Sequence, residues 1–300
     1  MDLPESGHDP VLLTQVLDLL APAPGKTIVD GTLGRAGHAS HIASTLGPTG
    51  RLIGLDVDPR NLEYARERLN GAPCEVRLFH ANFAELADVL EEVGVSRVDG
   101  ILADLGISTN QLFEAPYGMS FSVDMPLDMR IDPRLPKSAA DLVNTMREDD
   151  LANVLYELAQ ERCSRRIARK IADARRVSPI NTTGRLADLV RSAVGHQPWE
   201  KIDAATRTFL ALRMAVNQEL ENLEALLENA PGLLAPGGRL AVISFQSMED
   251  RLVKQSFRML DQTGAARVLT KKPVEPDDDE IAKNPRSRSS KMRVIERTGK

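Results

Sequence analysis

The chain predicts an α/β fold in which a parallel sheet is interrupted by a block of helices. Three observations carry this. Short apolar runs alternate with helical stretches through the first 105 residues. A segment from 138 to 229 then repeats its apolar residues at helical spacing. Finally Pro236-Gly-Gly238 opens a renewed apolar run, Gly237-Gly-Arg-Leu-Ala-Val-Ile-Ser-Phe245.

In chain order, strands are expected near 27–31, 51–56, 75–80 and 98–104, with helices around 10–20, 37–46, 59–70 and 83–93. Residues 106–136 are rich in Pro, Met, Gly and Asp and read as ordered loop. In the helical block, Leu151, Leu155 and Leu158 share one face, as do Phe209, Leu212, Val216, Leu220, Leu223 and Leu227. The charged, Pro-containing stretch 271–290 reads as loop, and Lys291-Met-Arg-Val-Ile-Glu296 as a last strand. No internal repeat is present. The division expected is a core of residues 1–107 and 206–300, with 108–205 as a loop plus helical insertion that recognises the substrate.

Apolar residues make up 42% of 300, enough for a substantial core. No apolar run approaches the length of a membrane span, and the polar opening Asp2-Leu-Pro-Glu-Ser-Gly7 has no signal-peptide pattern, so a cytoplasmic protein is expected. The two cysteines, Cys74 and Cys163, have neither metal spacing nor disulfide density, and no metal site is expected. A net charge of −5 does not advertise nucleic-acid binding, but only a local basic face is needed for that.

The most informative stretch is Ile28-Val-Asp-Gly-Thr-Leu-Gly-Arg-Ala-Gly-His38, followed by Leu52-Ile-Gly-Leu-Asp56. An apolar run ends in Asp30 and opens a glycine-rich turn; a second ends in Asp56. Such a strand-loop-helix-strand unit binds a nucleoside-bearing cofactor, with the second acid on the ribose hydroxyls. The loop Gly31-Thr-Leu-Gly34-Arg-Ala-Gly37 lacks the Gly-x-Gly-x-x-Gly spacing of dinucleotide sites, which argues against an NAD-dependent oxidoreductase, and lacks a phosphate-loop ending. A looser loop beginning with an acid suits S-adenosylmethionine, whose methionine end is zwitterionic and whose sulfonium is cationic. Asp104 would then lie at the carboxyl edge near the transferred methyl, and Asn82-Phe83 against adenine. The competing reading is ordinary turn glycines and strand-terminal acids. His38 either lies near the cofactor or merely opens a helix.

Several long segments resemble the small-subunit ribosomal RNA cytosine-N4 methyltransferase family, RsmH or MraW. They are His8-Asp-Pro-Val-Leu-Leu13, Val29-Asp-Gly-Thr-Leu-Gly34 through Gly37-His38, Val98-Asp-Gly-Ile-Leu-Ala-Asp-Leu-Gly-Ile-Ser108, Pro126-Leu-Asp-Met-Arg130, Arg165-Arg-Ile-Ala-Arg169, Thr206-Arg-Thr-Phe209 and Asn284-Pro-Arg-Ser-Arg-Ser289, with Pro236-Gly-Gly-Arg239 and Glu249-Asp-Arg251 between them. The resemblance implies a Rossmann-like class I methyltransferase sheet with a helical insertion domain. It also implies methyl transfer to the N4 amine of a cytidine in 16S rRNA of the small ribosomal subunit. For the cofactor it carries over Ala36, Gly37, His38, Asp56, Phe83, Asp104 and Gln111. Ala36 stands where the family usually has Gly, which matters only if that residue needs a positive φ. The chain also departs at Phe113, Tyr117, Met119, Gln246 and Met248, and in Leu158-Ala-Gln-Glu-Arg162. These departures keep a second reading open, a non-catalytic ribosome-assembly factor that binds S-adenosylmethionine and RNA. The oligomeric state stays open, a homodimer included.

The cytosine amine is a poor nucleophile because its lone pair is delocalised, so the site must orient it, accept its hydrogens and exclude water. Asp104 is the first candidate acceptor and Ser108 the second; Asp104 could equally hold the methionine end. The base must leave its stack, and Tyr117, Phe113 and Phe121 could stack on it or anchor the loop. Asp128 and Arg130 could pin that loop by an ion pair, or Arg130 could contact RNA. A basic run, Arg162, Arg165, Arg166, Arg169, Lys170, Arg175 and Arg176, reads as a phosphate-binding helix face or a solvated one, and Arg286, Arg288, Lys291 and Arg293 add to it.

Overall fold

The computed structural model describes residues 10–113, 117–195 and 202–299. They form two compact units: the chain through Gly106 together with that from Leu220, and Ile107–Glu219.

The first unit is built on one seven-stranded sheet. Its strands are β1 (Thr27–Asp30), β2 (Arg51–Asp56), β3 (Glu75–His80), β4 (Val98–Asp104), β5 (Leu234–Ser244), β6 (Ala266–Val268) and β7 (Lys291–Arg297), in the order β3-β2-β1-β4-β5-β7-β6. β1 to β5 pair in parallel, and β7 runs antiparallel to both its neighbours. This is a Rossmann-like sheet, as the resemblance implies. Consecutive residues such as Ile28 and Val29, Leu52 and Ile53, or Ile101 and Leu102 join apolar clusters on opposite faces of the sheet, which is why these strands read as unbroken apolar runs. The helices that cover the faces are α1 (Leu13–Leu20), α2 (Gly37–Leu46), α3 (Pro59–Arg68), α4 (Leu86–Glu92) and, later in the chain, α11 (Glu219–Leu233) and α12 (Ser247–Thr263). α3 shows the local logic: Asp58 accepts from Arg60 N–H at 3.0 Å and Pro59 takes the first helical position.

Strand order reverses between β1 and β4, and at such a switch point the carboxyl ends of the strands open a crevice. Asp30, Asp56 and Asp104 all end strands at that edge.

Two expectations for this unit change. β5 begins at Leu234, and its register against β4 jumps from Val98↔Leu234 to Gly100↔Arg239, so Pro236-Gly-Gly238 is a bulge within a strand rather than a turn before one. The stretch 271–290 contains helix α13 (Asp278–Lys283), capped by Asp277, and a single 3-10 turn at Pro285–Ser289. The cap followed by three acids is a helix-start signal that outweighs the loop-like composition.

The second unit carries α5 (Thr109–Phe113), α6 (Ala139–Thr145), α7 (Glu148–Ala159), α8 (Ser164–Val177), α9 (Thr183–Val194) and α10 (Ala205–Val216) around one apolar core. α11 (Glu219–Leu233) leads back to the sheet, and α12 (Ser247–Thr263) follows β5. Phe209, Leu212 and Val216 of α10 pack into the helical core with Leu151 and Leu155 of α7, whereas Leu223 and Leu227 of α11 pack on the sheet, so the apolar stripe expected over 209–227 is divided between two helices and residues 206–219 group with the helical unit rather than with the core. Within this unit Asn217 fixes the Pro126-Leu-Asp-Met-Arg130 segment, accepting from Ile131 N–H at 2.9 Å and donating to Met129 O at 2.8 Å. No helix among the described residues is long and apolar enough to cross a membrane.

Candidate active site

The loop after β1 is closed by acids. Gly34 N–H donates to Asp56 Oδ2 at 2.6 Å, Asp58 N–H to Asp56 Oδ1 at 2.8 Å, and Thr32 N–H to Asp30 Oδ1 at 3.2 Å. Asp104 N–H donates to Thr32 Oγ1 at 2.6 Å, which ties the loop to the end of β4. A Cβ on Gly31 would crowd Phe83 Cβ at 3.1 Å, closer than ordinary contact, so a side chain there would require Phe83 to shift. The loop is thereby pressed against Phe83, whose 3-10 turn is capped by Asn82. Ala36 does adopt a left-handed conformation, φ 59°, at the start of α2, and its side chain is fully buried. The condition under which its replacement of Gly matters is therefore met.

These acids lie close together, and no cation among the described residues compensates them. Burial pushes Asp104 up to about 8, with the charges of Asp30 and Glu249 adding. Burial pushes Asp30 up to about 7 against the Thr32 N–H bond, with Asp56 adding, and Asp56 up to about 6 against the bonds from Asp58 and Gly34. Asp104 Oδ1 is buried with no hydrogen-bond partner. Burial pulls His38 down to about 4, so the ring is neutral at pH 7. Its Nε2 lies 2.8 Å from Val11 O. A carbonyl only accepts, so Nε2 carries the hydrogen, leaving the Nδ1 lone pair 3.6 Å from Asp104 Oδ2. The result is a cluster of acceptors and partial negative charge that calls for a cation or a donor.

In the helical unit, Gln111 is buried and its Oε1 accepts from Ser108 N–H at 3.0 Å, while the Ser108 hydroxyl donates to Asn110 Oδ1 at 2.7 Å. Tyr117 is 5% exposed and packs with Met119, Leu127 and Met129. That corrects its assignment as a base-stacking residue: its ring is committed to the core. Phe121 is a loop anchor, edge-on to Phe209 with centroids 4.7 Å apart. Phe113 ends α5 and its side chain lies outside the described residues, as does the His8-Asp9 start of the first resembling segment. Arg130 clamps Asp128 with two bonds, 2.7 and 2.8 Å, and donates to Leu135 O at 3.1 Å. The guanidinium thus pins its own loop rather than standing ready for RNA.

Arg162, placed by the periodicity on the basic helix, precedes it in a turn, since α8 begins at Ser164. Arg165, Arg166, Arg169 and Lys170 are exposed on α8. Arg166 donates to Val194 O at 2.8 Å and Arg169 lies 3.6 Å from Glu148, whereas Arg162, Arg165 and Lys170 have no acidic partner among the described residues. Arg175 is half-buried and donates to Val143 O at 2.7 Å, and Arg293 is held by the Asp250 carboxylate at 2.6 Å.

The chain matches the MraW methylase family over residues 5–298. It belongs to that family. Among curated relatives it is 48% identical to the ribosomal RNA small subunit methyltransferase H of Geobacter sulfurreducens, across 97% of this chain and 98% of that one. It is 45% identical to the enzyme of the same name from Syntrophobacter fumaroxidans, across 99% and 98%. With that of Acidobacterium capsulatum it shares 47% identity, across 97% and 98%.

Within this methylase, two residues at the reacting edge are not legible as site residues from sequence. Thr32 holds the backbone of Asp104, and Glu249 accepts from both Phe245 N–H and Gln246 N–H at 2.9 Å while raising the pKa of Asp104. Glu249 opens α12 two residues after Ser247, a capping position that gives a sequence signal, but its approach to Asp104 depends on sheet register. Of the departures, Tyr117 and Met119 are core residues of the helical unit, and Gln246 is the residue preceding α12.

Proposed function

We propose that this methylase transfers the methyl group of S-adenosylmethionine to the N4 amine of a cytidine in 16S rRNA of the small ribosomal subunit. The observation that carries the cofactor assignment is the charge of the crevice: Asp30, Asp56 and Asp104 gather buried at the switch point, and the charged groups acting on them are other acids, beside a neutral His38. Such a pocket repels phosphates and favours the ammonium and sulfonium of S-adenosylmethionine. When bound, that cofactor supplies an electrophilic methyl carbon on a positively charged sulfur. Asp56, at the end of β2, accepts from the ribose hydroxyls; Phe83 packs on the adenine; and the loop through Ala36, Gly37 and His38 takes the methionine end. The relatives' names give ribosomal RNA of the small subunit as the substrate.

Asp104 accepts a hydrogen bond from the cytosine amine, which aims the nitrogen lone pair along the line to the methyl carbon. Transfer of the methyl group would leave the amine acidic, and Asp104, or solvent, would take its proton. A carboxyl raised above its usual range is the stronger base for that transfer. The unpaired Arg162, Arg165 and Lys170, with Arg166 and Arg169, bind the RNA backbone.

The test is transfer of labelled methyl from S-adenosylmethionine to small subunits that lack the modification, with naked RNA and DNA in parallel, followed by nucleoside analysis. Labelled N4-methylcytidine is the expected product. No label on any substrate, with cofactor binding intact, would refute the enzyme reading and return the non-catalytic binding factor.

A further inference from the structure

The Asn284-Pro-Arg-Ser-Arg-Ser289 segment has no role in the site described above, yet the sheet delivers it to the reacting edge. β7 is antiparallel to β5, so its first residue lies where the parallel strands end. Asp104 pairs with Ile243 and Ile243 with Met292, forming one row across three strands, and Ser244 pairs with Lys291 one step further out. With strands about 4.8 Å apart, Met292 lies roughly 10 Å from Asp104 along that row. A single nucleotide spans a comparable distance from its base amine to its phosphate.

The groups at this end of the edge have the opposite charge from those in the crevice. Arg288 is exposed in the turn, Lys291 is half-buried, and neither has an acidic partner among the described residues. Lys271 and Lys272, both exposed, lie on the connection that returns to pair Val274 with Met292 and so extend the strip. Of the acids on the same segment, Asp277 caps α13, Asp278 and Asp279 begin that helix, and Glu280 accepts from Leu12 N–H at 2.8 Å; Glu275, next to Val274, is exposed and forms no ion pair with Lys291. S-Adenosylmethionine carries no phosphate, so these cations have no use for it, and their sign is wrong for its ammonium and sulfonium.

We propose that Arg288 and Lys291 form a phosphate-binding edge that holds the backbone of the target RNA strand beside Asp104, with Lys271 and Lys272 continuing the track. This rests on the reading of RNA as substrate. The edge is divided by charge: an acidic crevice at β1, β2 and β4 for the cationic cofactor, and a basic rim at β7 for the anionic strand.

The test uses the full chain and unmodified small subunits, and measures subunit affinity over a salt series, steady-state methyl transfer, and cofactor affinity for wild type, an Arg288→Ala/Lys291→Ala double variant and an Arg288→Lys/Lys291→Arg exchange. Each lost phosphate contact removes about one from the slope of log affinity against log salt. The double Ala variant should therefore lose about two in slope and raise KM for subunits at least roughly tenfold, with cofactor affinity within about twofold of wild type. The charge-preserving exchange should keep the slope. A double Ala variant with wild-type slope and KM, beside an active wild type, would overturn the proposal alone, as would a loss that the charge-preserving exchange fails to restore. A wild type that neither labels nor binds subunits would overturn the substrate reading and this proposal with it.

Discussion

Cofactor affinity should be pH-dependent, and Asp104 should set the dependence. In the free pocket its carboxyl is pushed up to about 8, so at pH 7 it is about nine-tenths protonated. A bound cation favours the ionised form, so binding at pH 7 should release close to one proton from this group. If the complex holds Asp104 ionised throughout, the dissociation constant scales as one plus ten to the power of 8 minus pH. Between pH 6.5 and 8.5 the ionisation of Asp104 taken alone then strengthens binding about 25-fold, or about 1.9 kcal/mol. The cofactor's own α-amino group loses its charge near pH 8 and above, so the wild-type curve turns over at high pH. Asp104→Asn should lose the rising limb and keep the falling one. Calorimetry in buffers of different ionisation enthalpy, at pH 7 and pH 9, reads the proton count directly. A wild-type enthalpy independent of buffer at pH 7, or the same rising limb in Asp104→Asn, would refute the reasoning.

Three other outcomes follow from the same coordinates. With folded-state values of about 8, 7 and 6 for Asp104, Asp30 and Asp56, the folded protein binds more protons than the unfolded chain up to pH 8, so its stability falls as pH rises. His38, pulled down to about 4, acts in the opposite sense only between about 4 and 6.5. The Tm of the free protein should therefore drop between pH 6.5 and 8.5, and saturating S-adenosylmethionine should flatten that drop; a rising Tm would contradict it. At Ala36, relief of left-handed strain, about 1–2 kcal/mol, is offset by the chain entropy of Gly, about 0.4–1, and by the lost buried methyl, about 0.8. Ala36→Gly should thus stay within about 1 kcal/mol of wild type in urea unfolding, while Ala36→Val, β-branched at the same φ of 59°, should lose more than about 2 kcal/mol. At Gly118, φ is 59° and a Cβ would fall 2.0 Å from Pro126 O, so Gly118→Ala should destabilise the helical unit by about 3 kcal/mol or more, seen as early loss of its amide-exchange protection.

What the sequence makes legible at this site is what is local. A strand buried on both faces must be apolar, so the acid that ends it marks the carboxyl edge, and Asp30, Asp56 and Asp104 each announce themselves in this way. A glycine pressed against a neighbouring element, as Gly31 is against Phe83, likewise leaves its mark in the chain. What brings Glu249 to Asp104, or Lys291 to the same edge, is strand order and register, and no spacing encodes that.

Long amphipathic side chains are harder still, because one residue type has two stable uses. Tyr117 and Arg130 lie in a loop with aromatic and basic character suited to a nucleotide, yet the ring is buried among Met119, Leu127 and Met129, and the guanidinium is bound twice by Asp128. The basic residues of β7 make the same point within three positions. Lys291 and Arg293 share a face of the strand by its two-residue period. Arg293, further into the sheet, meets Asp250 of α12 and is 7% exposed, whereas Lys291 lies at the strand's first position, where no acid among the described residues reaches it. Charge alone therefore does not mark the RNA-facing residues of this methylase. The ones to trust are the cations that the fold leaves unpaired at the reacting edge and on α8, and the salt series on Arg288 and Lys291 separates that rule from a count of basic residues.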